Sequence, residues 1–271
     1  MARTVIMCAM AQRVDIPQTT NETAILPYLL DLGEAMLVAG GDVSLVERSL
    51  DRLGIAYGAS RMNVLVITSL IVATMTMPDG SERTLTRRVD TTGDTNFTKL
   101  ESLNRLCTQC RKEPVDPQAF KAELDTICNK PFPRTALYLG GVLAAGSFAI
   151  FFGGTLLDGI VSAIFAVFIC FLMERLKKFS PNNIVFNFAA SLLAGLGIGI
   201  AAHLVPALNT DMVMIGDIML LIPGIAMTNA MRDMLAGDTI SGVMRLVESL
   251  LWATALALGF MSALWIAGAS V

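Results

Sequence analysis

Two hydrophobic patterns divide this chain. Over its first half the apolar residues recur at helical or strand spacing between polar ones. Over its second half they run on almost uninterrupted. A helix starting near Asn21 carries Ile25, Leu29, Leu32 and Met36 on one face and ends at Gly40-Gly41. Asp42 or Ser44 can cap the next helix, which places Leu45, Val46, Leu50 and Leu53 on one side. Gly58-Ala59-Ser60 breaks the pattern. The run MNVLVITSLIVATMTM, Met62 to Met77, is uncharged for 16 residues. It is too short to span a bilayer and is rich in Val, Ile and Thr, so it predicts two buried strands, or one bent strand, turning near Thr68-Ser69. After the turn Pro78-Asp79-Gly80-Ser81, Glu82 to Val89 returns as an amphipathic strand. Thr98 to Lys112 and Asp116 to Cys128 read as amphipathic helices separated by Pro114 and Pro117.

Five long apolar segments follow, near 135–154, 155–173, 184–205, 212–231 and 249–269. Each approaches the roughly 20 residues that cross a bilayer as a helix. The fold expected is an α-helical integral membrane domain of five transmembrane helices, preceded by a small cytosolic α+β domain. The divisions fall at a flexible tail (1–20), the α+β domain (21–130) and the transmembrane domain (131–271). Pro131-Phe132-Pro133 delivers the chain to the membrane. The short apolar stretch from Val5 to Ala11 is too brief for a secretory signal.

Charge sharpens this division. Of 20 Lys and Arg, 15 lie in residues 1–134, as do 16 of 23 Asp and Glu, although the whole 271-residue chain is 54% hydrophobic. Basic loop residues Arg175, Lys177, Lys178, Arg232 and Arg245 fall on one side of a five-span arrangement, with Lys130 and Arg134. The positive-inside rule then puts the N-terminal domain in the cytoplasm and the C-terminus outside, in the cell (inner) membrane. A net charge of −3 excludes a nucleic-acid partner. Of the five cysteines, Cys107 and Cys110 form C-x-x-C inside a helical pattern, with no second pair to complete a zinc site, so reduced thiols are expected and no metal.

One spanning segment is interrupted. In DMVMIGDIMLLIPGIAMTNAMRD, Pro223 removes a backbone donor mid-helix and Gly224 loosens the chain beside it. Lipid cannot satisfy freed backbone groups, so this break either faces a cavity, as in the half-helices of transporter sites, or is a kink satisfied by its neighbours. Ionisable residues within the spans mark the candidate chemistry. Asp217, six residues before Pro223, is the better candidate for proton or cation coupling. Asp158 is either a second coupling carboxylate or, through Thr155-x-x-Asp158, a helix start. His203 reads as interfacial. Asn187, Ser191 and Asn229 read as interhelical hydrogen bonders. The stretch around Gly237 and Gly242 reads as a loop or a re-entrant piece, with Arg245 suited to a carboxylate. GLGIG (195–199) and the pairs Gly140/Ala144 and Gly141/Ala145 predict close helix packing.

The run LLIPGIAMTNAMRDMLAGDTISGVMR, Leu220 to Arg245, resembles the threonine/serine exporter family, and AGGDVSLVERSLDRLG, Ala39 to Gly54, is similar to that family's soluble helix–turn–helix. The resemblance implies secondary export of small amino acids or of dicarboxylates such as succinate, driven by the proton gradient with no other cofactor. It also implies a chain like the larger subunit of the split exporters, completed by a smaller membrane protein, with a homo-oligomer as the other assembly. Carried over by position, the motif falls on Pro223, Gly224, Asn229, Asp233, Gly237, Gly242 and Arg245, and the soluble motif on Gly40 and Glu47. The site expected from residues and resemblance together comprises Asp158, Asp217, Pro223, Gly224, Asn229, Asp233 and Arg245, with Asn187, Glu248 and Glu47 secondary. Two other classes stand beside it: a regulatory or sensing membrane subunit, and a hydrolase-like soluble module using a hydroxyl such as Thr68 or Ser69. No nucleophile–base constellation is visible for the latter, so the expectation is a transporter and no enzyme.

Overall fold

The computed structural model describes residues 25–89, 95–131, 133–176, 180 and 182–268. The tail, the helix start at Asn21, Phe132, Lys177, Lys178 and the last residue expected in the fifth span lie outside the described residues.

The N-terminal unit is built from α1 (Leu26–Val38), α2 (Val43–Ala56), β1 (Arg61–Ile67), β2 (Leu70–Thr76), β3 (Glu82–Arg88), α3 (Phe97–Lys112) and α4 (Pro117–Asn129). The uncharged run forms β1 and β2, which reverse at Thr68-Ser69 with Ile67 opposite Leu70. The sheet is an antiparallel meander in the order β1-β2-β3. Alternate residues Ile71, Ala73 and Met75 of β2 are fully buried, because a strand sends every second side chain to the same face. They meet the apolar faces of α1 and α2, where Leu29, Leu32, Val46 and Leu50 are also fully buried. Asp42, rather than Ser44, caps α2 by accepting from the Leu45 N–H at 2.7 Å. Asn96 caps α3 in the same way through the Lys99 N–H. On the flank, Asp31 of α1 pairs with Arg87 of β3 and with Lys121 of α4. Cys107 and Cys110 are unbridged and buried in this core, and burial pushes the Cys107 thiol up to about 12.

The second half forms α5 (Arg134–Phe151), α6 (Leu156–Arg175), α7 (Asn183–Leu204), α8 (Thr210–Leu221), α9 (Gly224–Ala236) and α10 (Thr239–Ile266). Four of these, α5, α6, α7 and α10, are each long and apolar enough to cross a bilayer. The pair α8 and α9 makes a fifth span if it is taken as one, bent by 52° at its break. Their outward residues include Leu139, Ile164, Ile200, Leu258 and Trp265, all exposed apolar side chains. An apolar solvent accepts such a surface; water does not. The starts of α5, α7 and α10 and the ends of α6 and α9 gather at the end that carries the N-terminal unit. Arg134 there pairs with Glu174 at 3.3 Å.

The last helix departs from expectation. It begins at Thr239, ten residues before the predicted span, and the supposed loop around Gly237 and Gly242 shrinks to a single turn. Gly237 ends α9 with φ +101°, a left-handed cap that glycine adopts without strain. Gly242 lies inside α10, where its missing side chain lets α10 cross α9: a Cβ would lie 2.7 Å from the Ala230 carbonyl. A glycine in a helical pattern here marks a close approach rather than a break. The small-residue faces also divide. Gly141 and Ala145 pack inward, whereas nothing lies within 4 Å of a Cβ at Gly140. Ser191 hydrogen-bonds carbonyls of its own helix, at Asn187 and Phe188, rather than a neighbouring helix, because Gly259 of α10 is pressed against it.

A Cβ at Gly259 would collide with Ser191 Oγ and sit 2.6 Å from the Phe188 carbonyl. Gly259→Ala is therefore expected to lower the melting temperature of the purified full chain by roughly 2–12 °C, the range for about 1–3 kcal/mol of overpacking in a protein this size. Gly140→Ala, in open space, is expected to leave it unchanged. Melting of both variants in the same detergent checks this; equal melting temperatures would remove Gly259 from the α7–α10 seam.

Candidate functional site

Pro223 offers no N–H and α8 stops one residue before Ile222. The chain passes through Ile222 and Pro223 in non-helical conformation, and α9 restarts at Gly224. Beside this break lies a cavity of about 230 Å³. The α7 side contributes Asn183, Phe186 and Asn187, and the α10 side contributes Arg245, Glu248, Ser249 and Trp252. Both sets follow the three-and-four spacing that puts residues on one helix face. Pro223 and Asn229 line it from the broken span, and Val38, Gly40 and Thr68 from the N-terminal unit.

The polar residues of α9 and α10 hold the α1–α2 turn over this cavity. Asn229 Nδ2 donates to the Gly40 carbonyl at 3.0 Å, and Arg245 Nη2 to the Gly41 carbonyl at 3.2 Å. Asp233 is 1% exposed. Its Oδ1 accepts from the Val43 N–H at 3.3 Å, at the start of α2. Its Oδ2 forms an ion pair with Arg245 Nη1 at 3.2 Å, without hydrogen-bond geometry. Arg232 reaches Asp42 at 3.3 Å, and the Thr68 hydroxyl lies 3.8 Å from Met244 Sδ. Two carboxylates, Asp42 and Asp233, thus meet the positive end of α2, which its unpaired first-turn amides favour.

The remaining candidates are dispersed. Asp217 is fully buried in α8. One oxygen accepts from the Ser162 hydroxyl at 3.0 Å, and the other has no hydrogen-bond partner among the described residues. It does not line the cavity. Asp158 sits at the opposite end of the bundle. Its Oδ2 accepts from the Thr155 N–H at 2.7 Å and the Thr155 hydroxyl at 2.8 Å, and its Oδ1 from the Asn209 N–H at 2.8 Å. That is a capping box extended to the loop before α8. His203 Nε2 lies 3.1 Å from the Ala267 carbonyl at the same end. Glu47 belongs to the N-terminal unit's own architecture, accepting from the Val66 N–H at 2.9 Å. Burial raises its carboxyl above the ordinary value, and that N–H pulls the other way. No group of three or more His, Cys, Asp or Glu is placed to hold a metal among the described residues.

A family model described as a putative threonine/serine exporter matches residues 27–267. The chain belongs to this family. It is 23% identical over 243 residues to a probable threonine/serine exporter of Mycobacterium tuberculosis, covering 89% of this chain and 46% of that protein. It is 24% identical over 250 residues to a threonine/serine exporter of Corynebacterium glutamicum, covering 88% of this chain and 50% of that protein. Against a probable succinate transporter subunit YjjP of Escherichia coli the identity is 26% over 253 residues, covering 93% of this chain and 98% of that protein. The chain therefore spans about half the length of the first two relatives and nearly all of the third. No solved structure matches. Family membership and the apolar helices together make this a multi-pass membrane protein.

In this member of the exporter family, Asn229, Asp233 and Arg245 form one cluster, and their partners are the Gly40 and Gly41 carbonyls and the Val43 N–H, between 189 and 204 residues away. Sequence spacing carried no sign of those partners. Trp252, Phe186 and Ser249 were also missed as lining residues, since each reads as ordinary apolar or helical sequence. The one available signal was the three-and-four spacing from Arg245 through Glu248 to Trp252.

Arg245→Gln leaves the Asp233 carboxylate buried without its cation, which is expected to destabilise the protein by about 3–5 kcal/mol. It should also release the N-terminal unit, read as a lower melting temperature and faster tryptic cleavage of the purified full chain. Adding Asp233→Asn should recover most of the loss. Wild-type stability in the single variant would show that the pair holds nothing together.

Proposed function

We propose that this chain is a subunit of a secondary active exporter of small amino acids or dicarboxylates, of the threonine/serine or succinate type. Export is driven by the proton gradient, and a smaller membrane protein supplies the second half. The observation that carries this reading is the cavity beside the Ile222-Pro223 break, roofed by the α1–α2 turn. Non-helical backbone within a span is tolerated where it lines a cavity, and broken helices build transporter sites in this way.

The roles follow from position. The cavity receives the substrate, with Asn229 and Arg245 beside it and Asn187 and Glu248 on its walls. Asp217, buried with one free oxygen, takes and releases the proton. Asp158, engaged by three donors, holds the start of α6. The N-terminal unit faces the cytoplasm, because the basic residues of the bundle gather at its end, and the C-terminus lies outside. The partner is supported by two facts about the relatives. The two relatives named threonine/serine exporters are about twice as long as the matched region, and the relative matched over nearly its whole length is named a subunit. The bonds across the α1–α2 turn favour a regulatory role for the N-terminal unit within the same exporter, as a gate on the cavity.

Export of labelled threonine, serine and succinate tests this in cells making the chain alone or with a candidate small membrane partner. Export by the pair only is expected. Export by the chain alone would replace the two-part carrier with a homo-oligomer, and no export by either would refute the reading. Asp217→Asn is expected to reduce export by about tenfold or more with unchanged protein in the membrane, as loss of a proton-transfer group does; unchanged export would remove Asp217 from the coupling path.

A further inference from the structure

The cavity contains one charge that nothing among the described residues matches. Arg245 brings a cation to it, but that charge is already balanced by Asp233 through Nη1, and Nη2 also donates to the Gly41 carbonyl. Glu248, one turn along α10, turns into the same cavity. Among the described residues no hydrogen bond or ion pair engages its carboxylate. With Arg245 balanced by Asp233, the described residues of the site carry one unmatched negative charge.

The surroundings of that charge suit a particular ligand. Trp252 follows Glu248 by four residues and lines the same cavity, so an indole stands one helical turn from the carboxylate. A carboxylate beside an aromatic face is a receptor for an ammonium group, which gains both a charge partner and a cation–π contact. The facing wall offers the neutral amides of Asn183 and Asn187, donors for a hydroxyl or carboxylate at the other end of a small molecule. A cavity of about 230 Å³ is smaller than the usual drug-sized site and fits a solute of a few heavy atoms. A dicarboxylate without an amine would meet the Glu248 carboxylate and find, among the described residues, no guanidinium whose charge is not already balanced. Like charges placed this way select against the wrong ligand.

We infer that Glu248, seconded by Trp252, is the specificity-determining residue of this cavity: it receives the ammonium group of an amine-bearing small solute and turns away dianions that lack one. This rests on the exporter reading, and it chooses between the two substrate classes which that reading leaves together.

The test is the ratio of threonine to succinate export in cells making the full chain with its partner. A ratio within one cell is insensitive to protein level. The wild type is expected to favour threonine. Glu248→Gln should lower the ratio about tenfold or more, the effect of losing roughly 1.4 kcal/mol of selective binding. Glu248→Asp should retain the preference. Trp252→Leu should lower the ratio without altering charge, and it decides the matter if Glu248→Gln is not inserted. A wild type that favours succinate, or a ratio unmoved by Glu248→Gln and Trp252→Leu, overturns the role of Glu248 while leaving the exporter intact. Export of neither solute by a membrane-inserted wild type overturns the exporter reading and this inference with it.

Discussion

Asp233 is a carboxylate taken almost wholly out of water, and such a group survives only where it is paired and hydrogen-bonded. Here the two requirements come from different parts of the chain. The cation is Arg245 of α10, and the hydrogen bond is the Val43 N–H at the start of α2. One buried charge therefore ties the broken span, the last span and the N-terminal unit to a single point. The cavity beside Pro223 exists in its observed form because that point holds the α1–α2 turn across it.

Four carboxylates in or near the spans show how environment assigns different tasks to one chemical group. Asp158 receives three donors and completes a helix start. Asp233 is matched by an arginine. Asp217 has a single serine hydroxyl and a free oxygen in an otherwise apolar setting. Glu248 opens onto the cavity beside a tryptophan. The first two are satisfied by the protein and hold it together. Among the described residues the last two are less fully satisfied: one Asp217 oxygen has no hydrogen-bond partner, and no ion pair engages Glu248.

Close packing is the other constraint on the bundle. Helices in lipid gain no hydrophobic drive from meeting one another, so small residues that admit a near approach set the contacts. Gly216, Gly242 and Gly259 occupy points where a methyl group would strike a neighbouring carbonyl. These approaches bring α8 against α5 and α6, and α10 against both α9 and α7. Asp217 thereby meets Ser162, and Arg245 meets Asp233.

Much was legible in the sequence because it depends on local periodicity and on the solvent each segment can tolerate. The meander turning at Thr68-Ser69, the helices of the N-terminal unit, the apolar spans and the break at Pro223 all follow from residue spacing, strand propensity and a missing backbone donor. The motif from Pro223 to Arg245 also contains Asn229, Asp233 and Arg245, which the fold brings together. The start of α10 was not legible, since a glycine in a helical pattern reads alike whether it ends a helix or admits a crossing one. Nor were the partners of Asn229, Asp233 and Arg245, because a backbone carbonyl or amide 190 residues away has no signature in residue type. The sequence by itself determined which segments could live in lipid and where one of them had to break. Only the tertiary structure decided which buried charges are matched and which are left open, because charge matching depends on distance in space and not along the chain.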